Sequence, residues 1–432
     1  MTVAEIYKIF QKYPVVCTDS RAVKKDSLFF ALKGENFNGN RFAGLALEQG
    51  ARYAVVDEKE FVKDDRYILV DNVLGTLQLV ANYHRRQLKI PFIAITGSNG
   101  KTTTKELTRN VLSKKFRTNA TQGNLNNHIG VPLTILSITK DDKMAVIEMG
   151  ANHQNEIKML CEIAEPDFGI ITNIGKAHLE GFGGIEGVKK GKGELYDFLA
   201  KNNRTVFLNA DNVTLVDLAN EKRLSNRITY GASHECNCRG HLQTAMPFVK
   251  VRWEYVDRKY EAHSQLMGSY NFENILAAIC IGNYFDVDAD LINAAIEDYV
   301  PDNSRSQIIH KGTNTIILDA YNANPTSVSA ALSNFNELEA KRKIIFLGDM
   351  AELGDESAHE HETIIQVLKQ VHADQVILVG KNFGSLASEV DGLSFQTADE
   401  ALSWTKSQRF KDSTILIKGS RSMKMEKVME GI

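Results

Sequence analysis

The sequence has little of what marks secreted, membrane or nucleic-acid-binding proteins. Its 432 residues include only five cysteines, an odd and scattered set that disfavours a disulfide framework and predicts a reduced, cytoplasmic compartment. The N-terminus has no basic stretch followed by a long apolar one, and no run reaches the ~18 apolar residues of a membrane span. The net charge of −3 gives no overall attraction to nucleic acid. We therefore expect neither a membrane span nor a nucleic-acid partner, and an anionic ligand must be held by local lysines and arginines.

The chain is too long for one ordinary hydrophobic core, and its pattern predicts an α/β fold with three domains. Residues 1–88 are expected to form a small N-terminal α/β domain, in which short buried strands precede a helix that ends before Pro91. In residues 89–303 strands alternate with helices, which predicts a mostly parallel sheet, followed by a β-rich insertion over residues 227–266. Residues 304–432 repeat the alternation, which predicts a C-terminal, doubly wound, Rossmann-like sheet.

The most informative segment is IAITGSNGKTTT at residues 93–104. An apolar run, a Gly-rich turn and a helix-forming stretch follow one another, and this order builds a phosphate cradle at a helix N-terminus. In such a cradle Lys101 meets the outer phosphates and the Thr102 hydroxyl can ligate Mg²⁺. The usual pattern has a glycine where this chain has Ile95, so the form is a shorter variant. We predict a P-loop that binds nucleotide phosphates through Gly97, Ser98, Asn99, Gly100, Lys101, Thr102 and Thr103.

Polar residues follow two further strands of the central region. Glu148 ends the apolar run AVIE, and His178 follows the run FGIITNI. Beside Thr102 they could hold Mg²⁺ at the phosphates, although a helix-capping glutamate and a loop histidine are the plain alternatives. Asn271 and Asn274 start a predicted helix, where asparagine is a common capping residue; one turn apart, they could also contact a base edge.

Charged residues elsewhere have both a functional and a plain interpretation. Lys192 lies in the basic segment GVKKGKGELYDFL, which could simply be a solvated face. Arg305 lies in the hinge-like PDNSRSQ, and its planar guanidinium suits contact with two oxyanion atoms. Asp319 ends a predicted strand, where a carboxylate can accept hydrogen bonds from ribose hydroxyls. By itself the segment TDSR at residues 18–21 indicates only a turn.

Longer motifs follow one another over most of the chain: TGSNGKTTTKE, TQGNLNNHIGVPLT, EMGANHQNEI, TNIGKAHLEGFGG, KGELY, GSYNFEN, NSRSQ, DAYNANPTS, LGDMAELGDESAHEH and KGSRSMKME. Together they resemble the Mur ligase family. The P-loop is shared by that whole family, whereas DAYNANP and GDMAELG are similar to the member that uses D-alanyl-D-alanine. The resemblance implies an ATP-dependent amide ligase of peptidoglycan precursor synthesis, which adds D-alanyl-D-alanine to UDP-N-acetylmuramoyl-tripeptide.

The resemblance also implies a mechanism and a set of catalytic residues. ATP would phosphorylate the terminal carboxylate of the tripeptide, and the dipeptide amine would attack the acyl phosphate, with release of ADP and phosphate. Lys101 would face the γ-phosphate. Of two Mg²⁺ ions, one would be held by Thr102 and Glu148. The other would be held by His178 and a carbamylated Lys192, because a carbamate is an anionic ligand and a plain lysine is not.

The remaining binding residues are also implied by the resemblance. We expect ATP contacts, beyond the P-loop, from Asn271, Asn274, Arg305, Asp319 and Tyr321. We expect contacts with the UDP-substrate from Ser20 and Arg21 of the N-terminal domain and from Asn127. An alternative for Arg21 is a surface pair with Asp19 or Asp26. We expect the protein to act as a monomer.

Three residues depart from the family pattern. Tyr270 stands where histidine is common, Asn155 where glycine is common, and Lys176 where proline or a small residue is common. Asparagine tolerates a left-handed backbone better than most residues, so the turn at Asn155 can persist. The alternatives to the proposed member are another Mur ligase, a folylpolyglutamate synthase, or an interaction protein that binds ATP without ligation. The tripeptide's third residue, diaminopimelate or lysine, stays open.

Overall fold

The computed structural model describes residues 1–255, 258–302 and 304–432. They form three domains, each with its own main sheet, and the parallel-dominated α/β architecture confirms the predicted fold class. The predicted end of the central domain at residue 303 lies outside the described residues, as do residues 256 and 257 of the β-rich insertion. Across the described ranges, no helix is long and apolar enough to pass through a bilayer.

The N-terminal domain is a small layered unit. Its elements are α1 (Val3–Lys12), β1 (Val16–Cys17), β2 (Leu28–Phe30), β3 (Lys33–Gly34), β4 (Phe37–Asn38), α2 (Ala43–Glu48), β5 (Tyr53–Val56), β6 (Tyr67–Leu69) and α3 (Val73–Gln87). The parallel sheet has the order β1-β2-β5-β6, and β3 pairs with β4 in a separate hairpin. Thr2 and Glu5 form a capping box that fixes the start of α1. The buried strands β2 and β5 were predicted, whereas β1 and β6 were missed because they are short.

The central domain begins at the strand that feeds the P-loop. Its elements are β7 (Phe92–Thr96), α4 (Lys101–Ser113), β8 (Thr118–Ala120), α5 (Gly130–Leu136), β9 (Met144–Glu148), α6 (Glu156–Ala164), β10 (Phe168–Ile171), α7 (Leu179–Phe182), α8 (Ile185–Lys201), β11 (Thr205–Asn209), α9 (Val213–Glu221), β12 (Arg227–Gly231), β13 (Cys238–Thr244), β14 (Lys250–Tyr255), β15 (Arg258–His263), α10 (Asn271–Tyr284) and α11 (Ala289–Glu297). All five residues of β7 are buried because helices cover both faces of the sheet. Phe92 and Ala94 contribute to one core, and Ile93 and Ile95 to the other, as the twofold period of a strand requires.

The β-rich insertion predicted over residues 227–266 is not separate from the central sheet. The sheet has the order β15-β14-β13-β12-β11-β10-β7-β9-β8, so these strands extend its edge. Strand β12 pairs in parallel with both β11 and β13, and the antiparallel pairs are β13–β14 and β14–β15. The strands were predicted but the sheet they join was not, because alternating patterns indicate strand faces without identifying the neighbouring strands.

The C-terminal domain has the predicted doubly wound sheet. Its elements are β16 (Gln307–Lys311), β17 (Asn314–Asp319), α12 (Pro325–Glu337), β18 (Lys343–Gly348), α13 (Ser357–Leu368), β19 (Gln375–Val379), α14 (Lys381–Ser385), β20 (Leu393–Phe395), α15 (Ala398–Ser407) and β21 (Thr414–Lys418). The strand order is β16-β17-β21-β18-β19-β20, with only β16 antiparallel to its neighbour among the described strands. In parallel sheets of this kind, ligands bind beyond the carboxyl ends of the strands.

Candidate active site

A cavity of about 1450 Å³ lies between the carboxyl ends of the central and C-terminal sheets. Loops after β7, β9 and β10 line one side, and loops after β17, β18 and β21 line the other. Most of the predicted site residues line it: Ser98, Asn99, Gly100, Lys101, Thr102, Thr103, Asn127, Glu148, His178, Asn271, Asn274, Arg305, Asp319 and Tyr321. Four predicted residues are not in its lining: Gly97, Lys192, Ser20 and Arg21. One cavity therefore collects polar residues that are more than 200 positions apart in the chain.

The P-loop turns sharply into α4 at Gly100. This residue has a φ of +78°, a left-handed conformation that glycine adopts without steric cost. A Cβ here would also lie 2.4 Å from Asn274 Oδ1, so a larger residue would displace the helix that packs against the loop. Helix α4 begins at Lys101, and its first N–H groups point toward the loop, which is the geometry that binds phosphate.

The Lys101 ammonium folds back onto its own loop. Nζ donates to Gly97 O at 2.8 Å and to Ser98 O at 3.1 Å. Part of the Lys101 side chain faces the cavity, but burial lowers the pKa of its ammonium group to about 8. The negative charge of Glu148 raises this pKa, and the positive charge of Arg305 lowers it further. An anion entering the cavity would restore the ordinary pKa, because a nearby negative charge favours the ammonium form.

Glu148 is a buried carboxylate with one free oxygen. It ends β9 and is 1% exposed. Oε1 accepts a hydrogen bond from Asn126 Nδ2 at 2.7 Å, and Oε2 has no partner among the described residues. A buried carboxylate oxygen without a donor is costly, so a cation or a water is the natural partner for it.

His178 reaches across to the C-terminal domain. It precedes α7 with a φ of +55°, and its Nδ1 lies 2.5 Å from Glu352 Oε2. The close contact with His178 lowers the pKa of Glu352. Glu352 itself has a φ of +61°, so two strained residues meet at this contact. Its motif, GDMAELG, is part of the family resemblance, but no residue of that motif was predicted to belong to the site.

Lys192 lies behind the cavity wall. It is in α8, 1% exposed, and its Nζ donates to Ala151 O at 2.9 Å and lies 5.0 Å from the Phe182 ring centroid. Burial lowers the pKa of Lys192 well below its ordinary value, and the positive charge of Lys101 adds to this effect. The plain alternative of a solvated basic face is therefore wrong for Lys192.

Arg305 and Asp319 approach the P-loop from the C-terminal side. The Arg305 guanidinium lies over the Tyr321 ring, 3.9 Å from its centroid. Asp319 Oδ2 accepts from Lys418 Nζ at 2.5 Å, so this carboxylate already has a buried cationic partner. Lys418 was not among the predicted site residues, although it begins the motif KGSRSMKME of the family resemblance. Its pairing with Asp319 depends on β17 and β21 being neighbours, which the sequence does not reveal.

Asn271 and Asn274 join α10 to the P-loop helix. Asn274 Oδ1 accepts from Thr104 Oγ1 at 3.0 Å, and Asn274 Nδ2 donates to Asn271 Oδ1 at 2.9 Å. Asn271 Nδ2 donates to Met267 O at 2.7 Å. Their side chains make no capping hydrogen bond to the start of α10. The two side-chain amides thus form a short chain of buried hydrogen bonds between α4 and the start of α10.

The residues predicted to contact the UDP-substrate are spread out. The Arg21 side chain is 88% exposed and makes a bidentate pair with Asp19, which is the alternative left open by the sequence. Ser20 lies in the same exposed turn. Asn127 lines the cavity, and its Oδ1 accepts from the N–H of Gly130, the first residue of α5, at 2.9 Å.

Further contacts connect the central and C-terminal domains next to the cavity. Lys176 Nζ lies 2.5 Å from Glu360 Oε1, and the Glu360 side chain is 3% exposed. Asn324 Nδ2 donates to Asn99 Oδ1 at 2.8 Å. These partners are 184 and 225 positions apart, so no local pattern in the sequence could have paired them.

The chemistry available in the cavity is that of anion and hard-cation binding. Lys101, Arg305 and the start of α4 supply positive charge and N–H donors. The free oxygen of Glu148 and the nearby Thr102 hydroxyl are the hard oxygen donors that Mg²⁺ prefers. Among the described residues there is no cluster of three or more His, Cys, Asp or Glu that would hold a metal unaided. A metal here would need oxygen atoms from a bound ligand or from modified side chains.

Comparisons with known proteins cover nearly the whole chain. Residues 12–94 match the family described as Mur ligase family, catalytic domain; residues 95–282 match the Mur ligase middle domain; and residues 304–421 match the Mur ligase, glutamate ligase domain. The chain is 34% identical over 425 residues to the UDP-N-acetylmuramoyl-tripeptide–D-alanyl-D-alanine ligase of Haemophilus influenzae, covering 95% of this chain and 92% of that protein.

Solved structures give the same picture. MurF from Acinetobacter baumannii has a TM-score of 0.88 and 29% identity, with 99% of this chain and 98% of that chain covered. MurF ligase from Thermotoga maritima, solved in complex with ADP, has a TM-score of 0.85 and 26% identity, with 96% of each chain covered. The similarity therefore extends over all three domains and their arrangement.

Proposed function

This chain belongs to the Mur ligase family, and we propose that it is the ATP-dependent ligase that joins D-alanyl-D-alanine to UDP-N-acetylmuramoyl-tripeptide in peptidoglycan precursor synthesis. The observation that carries the proposal is one cavity shared by two domains. The P-loop lies on one side of it, and the strand end that carries DAYNANP lies on the other. Relatives of this name, matched nearly end to end, supply the identity of the substrates.

The cavity residues fit each step of such a reaction. ATP phosphates bind the start of α4, where Lys101 moves from its loop carbonyls to the transferring phosphate. The tripeptide carboxylate attacks the γ-phosphorus, and an acyl phosphate and ADP form. The dipeptide amine then adds to the acyl carbon, loses a proton, and expels phosphate as the amide forms. Arg305 enters from the C-terminal domain, so closure of the two domains completes the charge around the phosphates and excludes water.

The residues present fit Mg²⁺ at the nucleotide. Thr102 and Glu148 would hold one ion, since Glu148 Oε2 has no partner among the described residues. His178 and Lys192 would hold a second ion, provided that Lys192 is carbamylated. When bound, Mg²⁺ would neutralise the negative charge that shifts between the phosphate oxygens during the transfer.

The surroundings of Lys192 support its carbamylation. Only a neutral amine adds to CO₂, and burial beside Lys101 lowers the pKa of Lys192 so that the neutral form is accessible. The addition forms an N–C bond, releases one proton, and converts the group to an anion. That change also replaces repulsion between Lys192 and Lys101 by attraction, which is favourable at low local dielectric.

The other predicted contacts complete the proposal. The N-terminal domain, with Ser20 and Arg21, recognises the uridine end of the nucleotide-sugar substrate, and Asn127 contacts the same substrate from the cavity. The dipeptide binds at the C-terminal strand ends. We still predict that the active protein is a cytoplasmic monomer.

A coupled assay tests the function directly. The purified protein is given ATP, Mg²⁺, D-alanyl-D-alanine and either the diaminopimelate or the lysine form of the UDP-tripeptide, and both phosphate release and product mass are recorded. We expect phosphate release to need both co-substrates and to fail with L-alanyl-L-alanine. The tripeptide that supports faster turnover identifies the natural third residue. If ATP binds but neither phosphate nor pentapeptide product forms with either tripeptide, the ligase assignment is wrong and an ATP-binding interaction protein is the better account.

A further inference from the structure

A tyrosine where the family commonly has histidine bridges the two domains at the nucleotide cavity. Tyr270, immediately before α10, lines the cavity with a side chain that is 36% exposed. Its hydroxyl lies 2.7 Å from Ser306 Oγ, which is on the segment that leads into β16. Ser306 is 6% exposed, so this is a partly buried hydrogen bond between the central and C-terminal domains.

The segment that receives this hydrogen bond is strained. Ser304 and Ser306 have φ values of +56° and +51°, in the left-handed region that serine rarely adopts. Two backbone contacts support the conformation: Ser306 N donates to Asp319 Oδ1 at 3.2 Å, and Tyr321 N donates to Ser304 O at 3.2 Å. Arg305 lies between the two serines, so the direction of its side chain depends on their backbone angles.

Arg305 is held ready for a ligand rather than paired with a carboxylate. Its guanidinium lies over the Tyr321 ring, and its Nε is buried without a hydrogen-bond partner among the described residues. A buried donor in this state is costly unless a ligand atom satisfies it. Any change that lets residues 304–306 relax would move this donor away from the cavity.

The other end of the bridge is firmly anchored. Asn271, the neighbour of Tyr270, is part of the chain of buried hydrogen bonds that runs through Asn274 to Thr104 on the P-loop helix. Behind the ring, a Cβ on Gly268 would lie 2.4 Å from Tyr270 Cε1, and Gly268 has a φ of +89°. Glycine is therefore needed there for the tyrosine ring to occupy its place.

We infer that Tyr270 is a positioning residue: its hydroxyl holds Ser306, and thereby the strained segment 304–306, so that Arg305 points at the nucleotide phosphates. The inference rests on the proposed function only in taking those phosphates as the ligand of Arg305. Positioning of this kind improves binding because the geometry is fixed before the ligand arrives. Tyrosine differs from histidine here because its hydroxyl lies beyond the ring and can span to the second domain.

A double-mutant cycle on the full-length protein tests the inference. Dissociation constants of the non-hydrolysable analogue AMP-PNP, with Mg²⁺, are measured for the wild type and for Tyr270→Phe, Ser306→Ala, Arg305→Ala and the pairwise combinations. Tyr270→Phe keeps the ring and removes only the hydroxyl. We expect Tyr270→Phe and Ser306→Ala each to weaken AMP-PNP by about fivefold, the usual effect of losing one hydrogen bond, with no further loss when they are combined. In the Arg305→Ala background, Tyr270→Phe should change nothing.

The alternatives give different results. Equal weakening by Tyr270→Phe with and without Arg305 would mean that the hydroxyl acts on the nucleotide itself, and the inference would be overturned. Unchanged AMP-PNP binding in both Tyr270→Phe and Ser306→Ala would overturn it as well. Tyr284→Phe, at the far end of α10 and outside the cavity, is the matched control and should bind as the wild type does. Thermal midpoints of all variants check folding. If the mutant cycle shows this coupling but the wild type forms no ligation product, the proposed function fails and the positioning role of Tyr270 stands.

Discussion

The ion pair between Lys176 and Glu360 should control how firmly the central and C-terminal domains stay together. Lys176 is 46% exposed, whereas the Glu360 side chain is 3% exposed and its Oε2 has no partner among the described residues. Replacing Lys176 by methionine keeps most of the aliphatic stem but leaves a buried carboxylate without its counter-charge. That carboxylate can regain solvent only if the two domains move apart.

The size of the effect follows from the unequal burial of the two partners. Removing one member of a fully buried pair costs about 3–5 kcal/mol, and an exposed pair contributes about 0–1 kcal/mol. With one partner buried and the other half-exposed, we expect about 1–2 kcal/mol against the closed arrangement. This corresponds to about a five- to thirtyfold drop in the ratio of closed to open molecules.

Small-angle scattering and ATP kinetics measure this change. Lys176→Met should enlarge the radius of gyration of the free protein and raise the KM for ATP, because Arg305 then meets the P-loop less often. Adding Glu360→Gln should bring both values back toward the wild type, since the uncompensated charge is gone. Lys222→Met is the matched control: Lys222 pairs with Asp197 at 3.0 Å within the central domain and should not affect closure.

The reasoning fails if Lys176→Met has the same radius and the same KM for ATP as both the wild type and Lys222→Met. It also fails if Glu360→Gln does not rescue Lys176→Met, because the buried charge would then not be the cause. A fall in thermal midpoint without a change in radius would assign the pair to the stability of the C-terminal domain alone.

Four other predictions concern single side chains. Glu148→Gln keeps the shape and the hydrogen bond to Asn126 but loses the anionic oxygen, so kcat should fall about 100–1000-fold at saturating Mg²⁺; turnover near the wild-type rate would remove Glu148 from the site. Lys192→Ala should lose activity and regain part of it with added formate or acetate, and full activity in Lys192→Arg would exclude a carbamate. Arg21→Ala should raise KM for the UDP-substrate and leave KM for ATP unchanged; a larger shift in the ATP KM would disprove the N-terminal assignment. His84 is buried between Tyr7 OH and Ile138 O, and burial lowers the pKa of its imidazole below 6.5. As the pH falls, the imidazole is therefore protonated at a lower pH in the folded protein than in the unfolded chain. Its contribution to stability is therefore full above pH 6.5 and is lost below it, by up to about 1.4 kcal/mol per pH unit. Melting curves of the wild type and His84→Ala across pH 5–8 should converge toward acid, and parallel curves would contradict this.

The sequence predicted those parts of the fold and site that depend on residues close together in the chain. The P-loop is such a case, because a buried strand, a glycine turn and a helix start are all visible within residues 93–104. Asn155 is another: asparagine was expected to tolerate a left-handed backbone, and it has a φ of +68° immediately before α6. Local patterns report local backbone geometry, so these predictions could be made without knowing what packs against what.

Partners that meet only through tertiary packing could not be predicted in this way. The sequence suggested Arg305 as a phosphate contact, but nothing in it indicated that Tyr321 lies under the guanidinium or that Ser306 bonds to Tyr270. The same holds for Lys418, whose pairing with Asp319 follows from the order of strands in the C-terminal sheet. Such contacts are set by which elements become neighbours, and hydrophobic periodicity identifies elements without identifying their neighbours.

Three positively charged groups at or behind the cavity wall contact neutral partners, in contrast to Lys418, which is paired with Asp319. Lys101 binds carbonyls of its own loop, Arg305 lies over a tyrosine ring, and Lys192 donates to a single carbonyl. Each of these partners is neutral, so each contact is weaker than an ion pair with a carboxylate would be at the same place. An incoming triphosphate can therefore replace the contacts of Lys101 and Arg305 without breaking a strong ion pair. Had carboxylates held these groups, ATP would first have to displace an anion, and much of its binding free energy would be lost in that exchange.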